Sequence, residues 1–175
     1  KSSTIQPLQE LLDSMSYSLL NGGKRFRPIL CLTVAEAFGV SPQRILPWSA
    51  AVEMIHTYSL IHDDLPCMDD DDERRGQPTN HKKFGEATAL LAGDALLTEA
   101  FFTVANSYSE QPNVGLKLTQ LLAEAAGAFG MVGGQVLDLS SAGKILDIEQ
   151  MNAIHRLKTG ALIRACAEGT ALVCG

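Results

Sequence analysis

Apolar residues recur at helical spacing along nearly the whole of this chain, and no stretch alternates in the manner of a half-buried strand, so the pattern supports an all-α fold. Leu8, Leu11, Leu12, Met15 and Leu19 form the first such stripe, which Gly22-Gly23 stops. Residues 29–38 are apolar enough to be buried on most sides and end at Gly39. Ser41-Pro42 then offers a cap and a first-turn proline for a helix running to the acidic stretch that begins at Asp63. Residues 76–85 (GQPTNHKKFG) read as a loop and residues 87–106 as a helix that Gln111-Pro112-Asn113 breaks. Residues 116–139 form the next helix, with Gly127, Gly130 and Gly134 as a strip along which a neighbour can approach closely. Asp147 and Gln150 resemble a capping box opening a helix that carries Ile148, Met151, Ile154, Lys158 and Leu162. Without an internal repeat or low-complexity linker, residues 1–175 are expected to form a single domain, a helical bundle with short connections.

Composition narrows the function classes. Hydrophobic residues at 46% and charged residues at 19% exclude disorder, collagen and a continuous coiled coil. The charge is concentrated: −5 of the net −6 lies between Asp63 and Arg75, which hold seven acids and two arginines. Nucleic-acid affinity needs a basic face that neutralises phosphate, so nucleic acid is not expected as a partner and metal ions fit better. Cys31, Cys67, Cys166 and Cys174 include no CxxC pair, which suggests neither a zinc site nor a disulfide framework and suits a reducing cytoplasm. The start carries no basic, apolar, small-residue leader, and the longest nonpolar stretch, Ala125 to Gly134, is far short of a bilayer span. A cytoplasmic protein without a membrane span is expected.

The strongest chemical signal is His62-Asp63-Asp64-Leu65-Pro66-Cys67-Met68-Asp69, at the end of a helix whose body, Ala50 to Ile61, is mostly apolar. A hard cation such as magnesium takes oxygen ligands and shares one or two protein carboxylates with substrate phosphates; DDxxxxD supplies such a half-site through Asp63, Asp64 and Asp69. Asp70, Asp71, Asp72 and Glu73 read as a solvated acidic turn. An EF-hand beginning at Asp69 fails, because its sixth and twelfth positions are Arg74 and Asn80. Gly22-Gly23-Lys24-Arg25-Phe26-Arg27-Pro28, Arg74-Arg75 and Lys158-Thr159 are three separate basic sites, a mixture of arginine forks and lysine point charges that a diphosphate near magnesium requires. Asp94, inside the apolar run LLAGDALL, should need a hydrogen-bond partner. Gln135 and Asp138, at i and i+3, either face a cleft near the diphosphate or serve capping and packing.

Together GGKRFRP, VEMIHTYSLIHDDLPCMDDDDERRGQPTNHKKFGEATALLAGDAL, GGQVLDL and HRLKTGALIRA closely resemble the trans-prenyl (polyprenyl) diphosphate synthases, and the resemblance spans nearly the whole chain. It is strongest to the bacterial farnesyl diphosphate synthases, whose first aspartate-rich motif is widened from DDxxD to DDxxxxD; geranylgeranyl diphosphate synthases of bacteria and plastids share the insertion. The implied fold is the isoprenoid-synthase helical bundle, here its N-terminal portion, because the family's second aspartate-rich motif is absent from these residues.

The resemblance implies that Asp63, Asp64 and Asp69 hold magnesium, with manganese a substitute, bridging to the diphosphate of an allylic substrate. It implies that Arg74, Lys158 and Thr159 bind that same diphosphate, and that Lys24, Arg27, His56 and Arg75 bind the diphosphate of isopentenyl diphosphate. His56 and Asp63 are seven residues apart and share a helical face, consistent with two substrates side by side. The implied reaction ionises the allylic carbon–oxygen bond, lets the isopentenyl double bond attack the carbocation, and ends with proton loss to the released diphosphate, in an apolar cleft that excludes water. Tyr58, five residues before Asp63, resembles the aromatic that floors the product tunnel in farnesyl-forming enzymes, although at ~1.5 Å and ~100° per residue Ser59 is better aligned with Asp63. A homodimer is expected by resemblance. Should the chain be whole as written, negligible synthase activity is expected, and a non-catalytic subunit that modulates a synthase is the competing function. A terpene cyclase shares an aspartate-rich motif but has no use for GGKRFRP.

Overall fold

A computed structural model describes residues 5–175. Its elements in chain order are helices α1 (Gln6–Leu20), α2 (Phe26–Ala37) and α3 (Pro42–Asp63), strands β1 (Glu73–Arg74) and β2 (Gln77–Pro78), helices α4 (Asn80–Phe84), α5 (Glu86–Ser107), α6 (Pro112–Ala126), α7 (Met131–Ser141) and α8 (Ile148–Ile154), a π-helical segment (His155–Gly160), and α9 (Ala161–Cys174). The expected all-α character holds. The chain divides into two compact units, one of residues up to Arg25 with Glu53–Phe102 and one of Phe26–Val52 with Thr103–Gly175, so that the division falls inside α3 and inside α5.

In the first unit the buried residues of α3 (Ile55, Tyr58, Ile61) and α5 (Ala89, Ala92, Leu96, Ala100) make the core. α1 forms as expected, but its apolar stripe is only partly covered: Leu8 and Leu12 are exposed, Leu11, Met15 and Leu19 are half-buried, and the buried residue is Ser14. A polar face seats this helix. Ser14 Oγ donates to Asn80 Oδ1 at 2.7 Å, Asn80 Nδ2 returns bonds to the Ser14 carbonyl and Ser18 Oγ, and Tyr17 donates to the Pro78 carbonyl at 2.8 Å. Residues 76–85 are more ordered than the expected loop. Glu73 pairs with Pro78 and Arg74 with Gln77, and Arg75 and Gly76 between them both have positive φ (56° and 73°), the pattern of a two-residue type I′ hairpin. Two-residue strands are too short to show alternation, so this hairpin left no periodic signal.

In the second unit α9 packs against α2 and α6, and the buried residues are Ile45, Trp48 and Val52 of α3, Cys31 and Ala35 of α2, Leu118 and Leu122 of α6, and Leu162, Ala165, Cys166 and Val173 of α9. Gly169 on α9 lies against the Trp48 indole, whose Nε1 donates to the Cys166 carbonyl at 3.4 Å. Contrary to the expectation from composition, α2 is not buried on most sides: Cys31 and Ala35 are buried while Phe26 and Ile29 are exposed, because α9 covers one face of it. The expected helix over 116–139 is two helices. It starts earlier, with Pro112 at the first position, and breaks over 127–130, where Gly127 ends α6 and Gly130 precedes α7. A Cβ at Gly127 or Gly130 would press on the carbonyls of Ala123 or of Glu124 and Ala125, so these glycines serve the break and Gly134 alone of the three meets a neighbouring segment, the backbone at Lys158. The capping box forms as expected, with Asp147 accepting from the Gln150 amide and Gln150 from the Asp147 amide. None of the four cysteines forms a disulfide. α5 is long and apolar enough, by length and composition, to cross a membrane, a criterion that counting uninterrupted nonpolar residues missed and that a core helix also meets.

Candidate functional site

Beyond Asp63 the chain folds back on the end of α3. The Asp69 amide donates to the Asp63 carbonyl at 2.8 Å, the Met68 and Asp70 amides donate to the Leu65 carbonyl at 2.8 and 3.2 Å, and Asp70 takes a left-handed backbone with φ of 51°. Aspartate visits that region more readily than most residues. The first and last aspartates of DDLPCMD are thereby tied together by main chain at one helix end.

Asp64, between them in sequence, is 3% exposed. Arg74 Nε donates to both of its carboxylate oxygens at 2.8 and 3.0 Å, and Nη2 to Oδ1 at 2.5 Å. Burial is the larger influence on this carboxyl and pushes it above the ordinary range, with Arg74 pulling it back; the same pairing raises the Arg74 guanidinium. Arg74 Nη2 also lies 3.5 Å from Asp71, and exposed Asp72 pairs with Lys82 at 2.7 Å, which lowers the Asp72 carboxyl. All four residues from Asp70 to Glu73 are exposed, in line with a solvated turn. Among the described residues, Asp70, Asp72 and His81 place one potential ligand atom each within 4.8 Å of one another, a grouping the sequence reading did not single out.

The type I′ turn sends two adjacent arginines to different elements. While Arg74 faces Asp64, Arg75 Nη1 donates to the Gly22 carbonyl at 2.6 Å, and its guanidinium covers Gly23 so closely that a Cβ there would fall inside it. Arg75 is thus stationed at the turn that carries exposed Lys24. The next residue, Arg25, has φ of 48° and donates from Nη1 to Glu53 Oε1 at 2.7 Å and from Nη2 to the Leu19 carbonyl at 2.6 Å. Glu53, 7% exposed on α3, stands one turn before half-buried His56. Neither Arg25 nor Glu53 was singled out from sequence, although an acid inside the apolar run AAVEMI is itself a signal that a partner is required.

Farther along α3, Tyr58 is buried and meets His62 edge-on at 5.7 Å between ring centres; burial, then the nearby Asp63 charge, push its phenol upward. Ser59 Oγ donates to the His56 carbonyl at 2.9 Å, which turns it toward its own helix. His62 Nε2 lies 2.9 Å from the Leu90 carbonyl and its ring fills the space over Gly93. Asp94 is not a buried carboxylate: its side chain is 59% exposed and lies 3.9 Å from His62, because this face of α5 is open.

The second unit holds the other sequence candidates. Arg27 is half-buried in the first turn of α2. Lys158 and Thr159 lie in the π-helical segment, a distortion often associated with functional positions. Lys158 Nζ donates to Asp138 Oδ2 at 2.5 Å, and one turn earlier on α7 a Cβ on Gly134 would collide with the Lys158 backbone. Gly134 and Asp138 of GGQVLDL therefore grip main chain and side chain of the same lysine. The buried amide of Gln135, between them, has no hydrogen-bond partner for its nitrogen or its oxygen among the described residues.

A profile described as polyprenyl synthetase matches residues 8–175. The chain is 52% identical over 165 residues to the farnesyl diphosphate synthase of Bacillus subtilis, a match covering 93% of this chain and 56% of the relative. It is 50% identical over 178 residues to the heterodimeric geranylgeranyl pyrophosphate synthase large subunit 1 of Arabidopsis thaliana, covering 97% of this chain and 48% of that protein. The solved structure of a geranyltransferase from Legionella pneumophila superposes with a TM-score of 0.93 at 42% identity over 98% of this chain and 61% of its own. The chain thus spans about half the length of the curated relatives it matches. With residues 8–175 of this chain matched by the profile and the fold shared, the chain belongs to the polyprenyl synthetase family.

Proposed function

We propose that these residues form the N-terminal portion of one polyprenyl synthase domain, in a cytoplasmic, homodimeric prenyltransferase that condenses isopentenyl diphosphate with dimethylallyl or geranyl diphosphate to give farnesyl diphosphate. The observation that carries this reading is the divergence of two neighbouring arginines, Arg74 toward the aspartates at the end of α3 and Arg75 toward the Gly22-Gly23 turn before Lys24. Two anion sites served by one hairpin are what a reaction between two diphosphates needs.

Asp63, Asp64 and Asp69 are the residues that would hold magnesium, or manganese in its place; the all-oxygen donor set suits a hard cation, the Asp69–Asp63 main-chain bond ties two of the donors to one helix end, and Asp64 would give up part of its pairing with Arg74 to the ion. The metal, when bound, neutralises diphosphate charge. Arg74, with Lys158 and Thr159, binds the allylic diphosphate and stabilises it as charge develops on departure. Lys24, Arg27, His56 and Arg75 hold the isopentenyl diphosphate. Tyr58 supplies a buried aromatic surface that limits the product, and Ser59 shares its stretch of helix.

The test is intact mass, followed by incubation with magnesium, isopentenyl diphosphate and geranyl diphosphate and separation of products by chain length. A fifteen-carbon product is expected. A twenty-carbon product would favour the geranylgeranyl reading, which the 50% identity to the Arabidopsis subunit supports, and would remove Tyr58 from its role. No product from a protein of this mass would move the function to a non-catalytic subunit.

A further inference from the structure

The Gly22–Arg25 connector between α1 and α2 has no regular structure of its own, yet it carries Lys24. Gly22 and Gly23 adopt positive φ without cost, but Arg25, at φ 48°, does not. A side-chain-bearing residue is held in that conformation only where its surroundings over-determine it. Here the surroundings are identifiable: the Arg25 guanidinium joins Glu53 on α3 at 2.7 Å and the last turn of α1, through the Leu19 carbonyl, at 2.6 Å. One side chain therefore fastens the connector to two helices. The Glu53 carboxylate is almost wholly buried, so releasing its partner would leave a charge without compensation, and the pair is correspondingly hard to break. Thr57 donates back to the Glu53 carbonyl at 2.8 Å.

We propose that Arg25 and Glu53 are positioning residues, whose part-buried ion pair locks the Gly22–Arg25 connector onto α3 and so fixes where Lys24 stands relative to His56, one turn beyond Glu53. This rests on the reading of Lys24, His56 and Arg75 as the holders of the isopentenyl diphosphate. Neither Arg25 nor Glu53 touches substrate; they act through Lys24. Arginine is needed at residue 25, because a lysine ammonium can meet Glu53 but has no fork to span to Leu19 as well.

The experiment combines amide hydrogen exchange across residues 20–27 with calorimetric titration of isopentenyl diphosphate, on the wild type, Lys24→Ala, Arg25→Gly, Arg25→Lys and Glu53→Gln. Arg25→Gly is the informative variant, since it relieves the backbone while removing the anchor. The expected result is faster exchange of the connector amides and a dissociation constant raised about tenfold or more in Arg25→Gly and Glu53→Gln, with Arg25→Lys intermediate and the melting temperature of Arg25→Gly lowered because Glu53 is left unpaired, so that both readouts are taken well below that temperature. Unchanged exchange, or unchanged affinity where Lys24→Ala binds more weakly, overturns the positioning role alone. Unchanged affinity in Lys24→Ala overturns the diphosphate reading and this proposal with it. If Glu53→Gln unfolds the chain, Arg25→Lys decides by the same two readouts.

Discussion

Arg74 covers both oxygens of the buried Asp64 carboxylate, yet that carboxyl still titrates above the ordinary range, because burial outweighs the pairing. The sign for stability follows. A carboxyl with a raised folded pKa contributes most below its unfolded pKa, and that contribution is lost as pH rises through the folded value. Arg74→Gln removes the influence that pulls the pKa down, so Asp64 should titrate higher still, by carbon-detected NMR of the carboxyl. Denaturation at neutral pH should show a loss of about 3 kcal/mol, the low end for an orphaned buried charge because Arg74 is part-exposed, and the deficit should shrink as pH falls.

Gly134 meets main chain. Since the Lys158 backbone cannot swing aside as a side chain can, Gly134→Ala should force α7 off the π segment, costing about 1–3 kcal/mol in chemical denaturation. Gly115→Ala is the control. Its Cβ would sit 3.4 Å from Tyr108, ordinary contact, and the helix propensity of alanine should leave stability unchanged or raise it by under about 1 kcal/mol.

Trp48 is fully buried and fills the space that Gly169 leaves open. Trp48→Ala should lower stability by about 3–5 kcal/mol. Gly169→Ala should be destabilising too, through collision with the indole. In the double variant the two losses should be less than additive, as measured by a thermodynamic cycle, because the cavity made by one accepts the methyl of the other.

The hairpin turn gives a prediction of a different kind. Gly76 has open space around it, so a substitution there meets backbone strain alone. Gly76→Ala should cost about 1–2 kcal/mol and Gly76→Asn less, since asparagine tolerates positive φ. The reading fails if the two variants melt alike.

The order of the helices, the proline at the start of α3 and the capping box at Asp147 were legible because each is a local rule acting within a few residues. The same rule about acids in apolar runs was applied to Asp94 and misled, because one face of α5 is open; Glu53 on α3 obeys it. Composition around a residue does not say which face of its helix is covered. The break at 127–130 escaped for a related reason: glycines spaced for packing and glycines ending a helix look alike until the carbonyls they avoid are known. The aspartates and basic residues were legible as residue types, but the split between Arg74 and Arg75 depends on a turn whose signature, an arginine and a glycine at positive φ, no spacing announces.

The π-helical segment at His155–Gly160 makes chain length at that place a constraint in its own right. A π turn bonds i to i+5 where an α-helix bonds i to i+4, so it stores one residue more than an ordinary turn. Removing one residue would restore regular helix at a choice of two losses. Either Leu162, Ala165, Cys166 and Val173 rotate by about 100° out of the core, or the core stays and Lys158 is carried off Asp138. Substitutions in this turn can therefore be mild while a single-residue deletion is not, and a relative with an unbroken α-helix here should align with a one-residue gap.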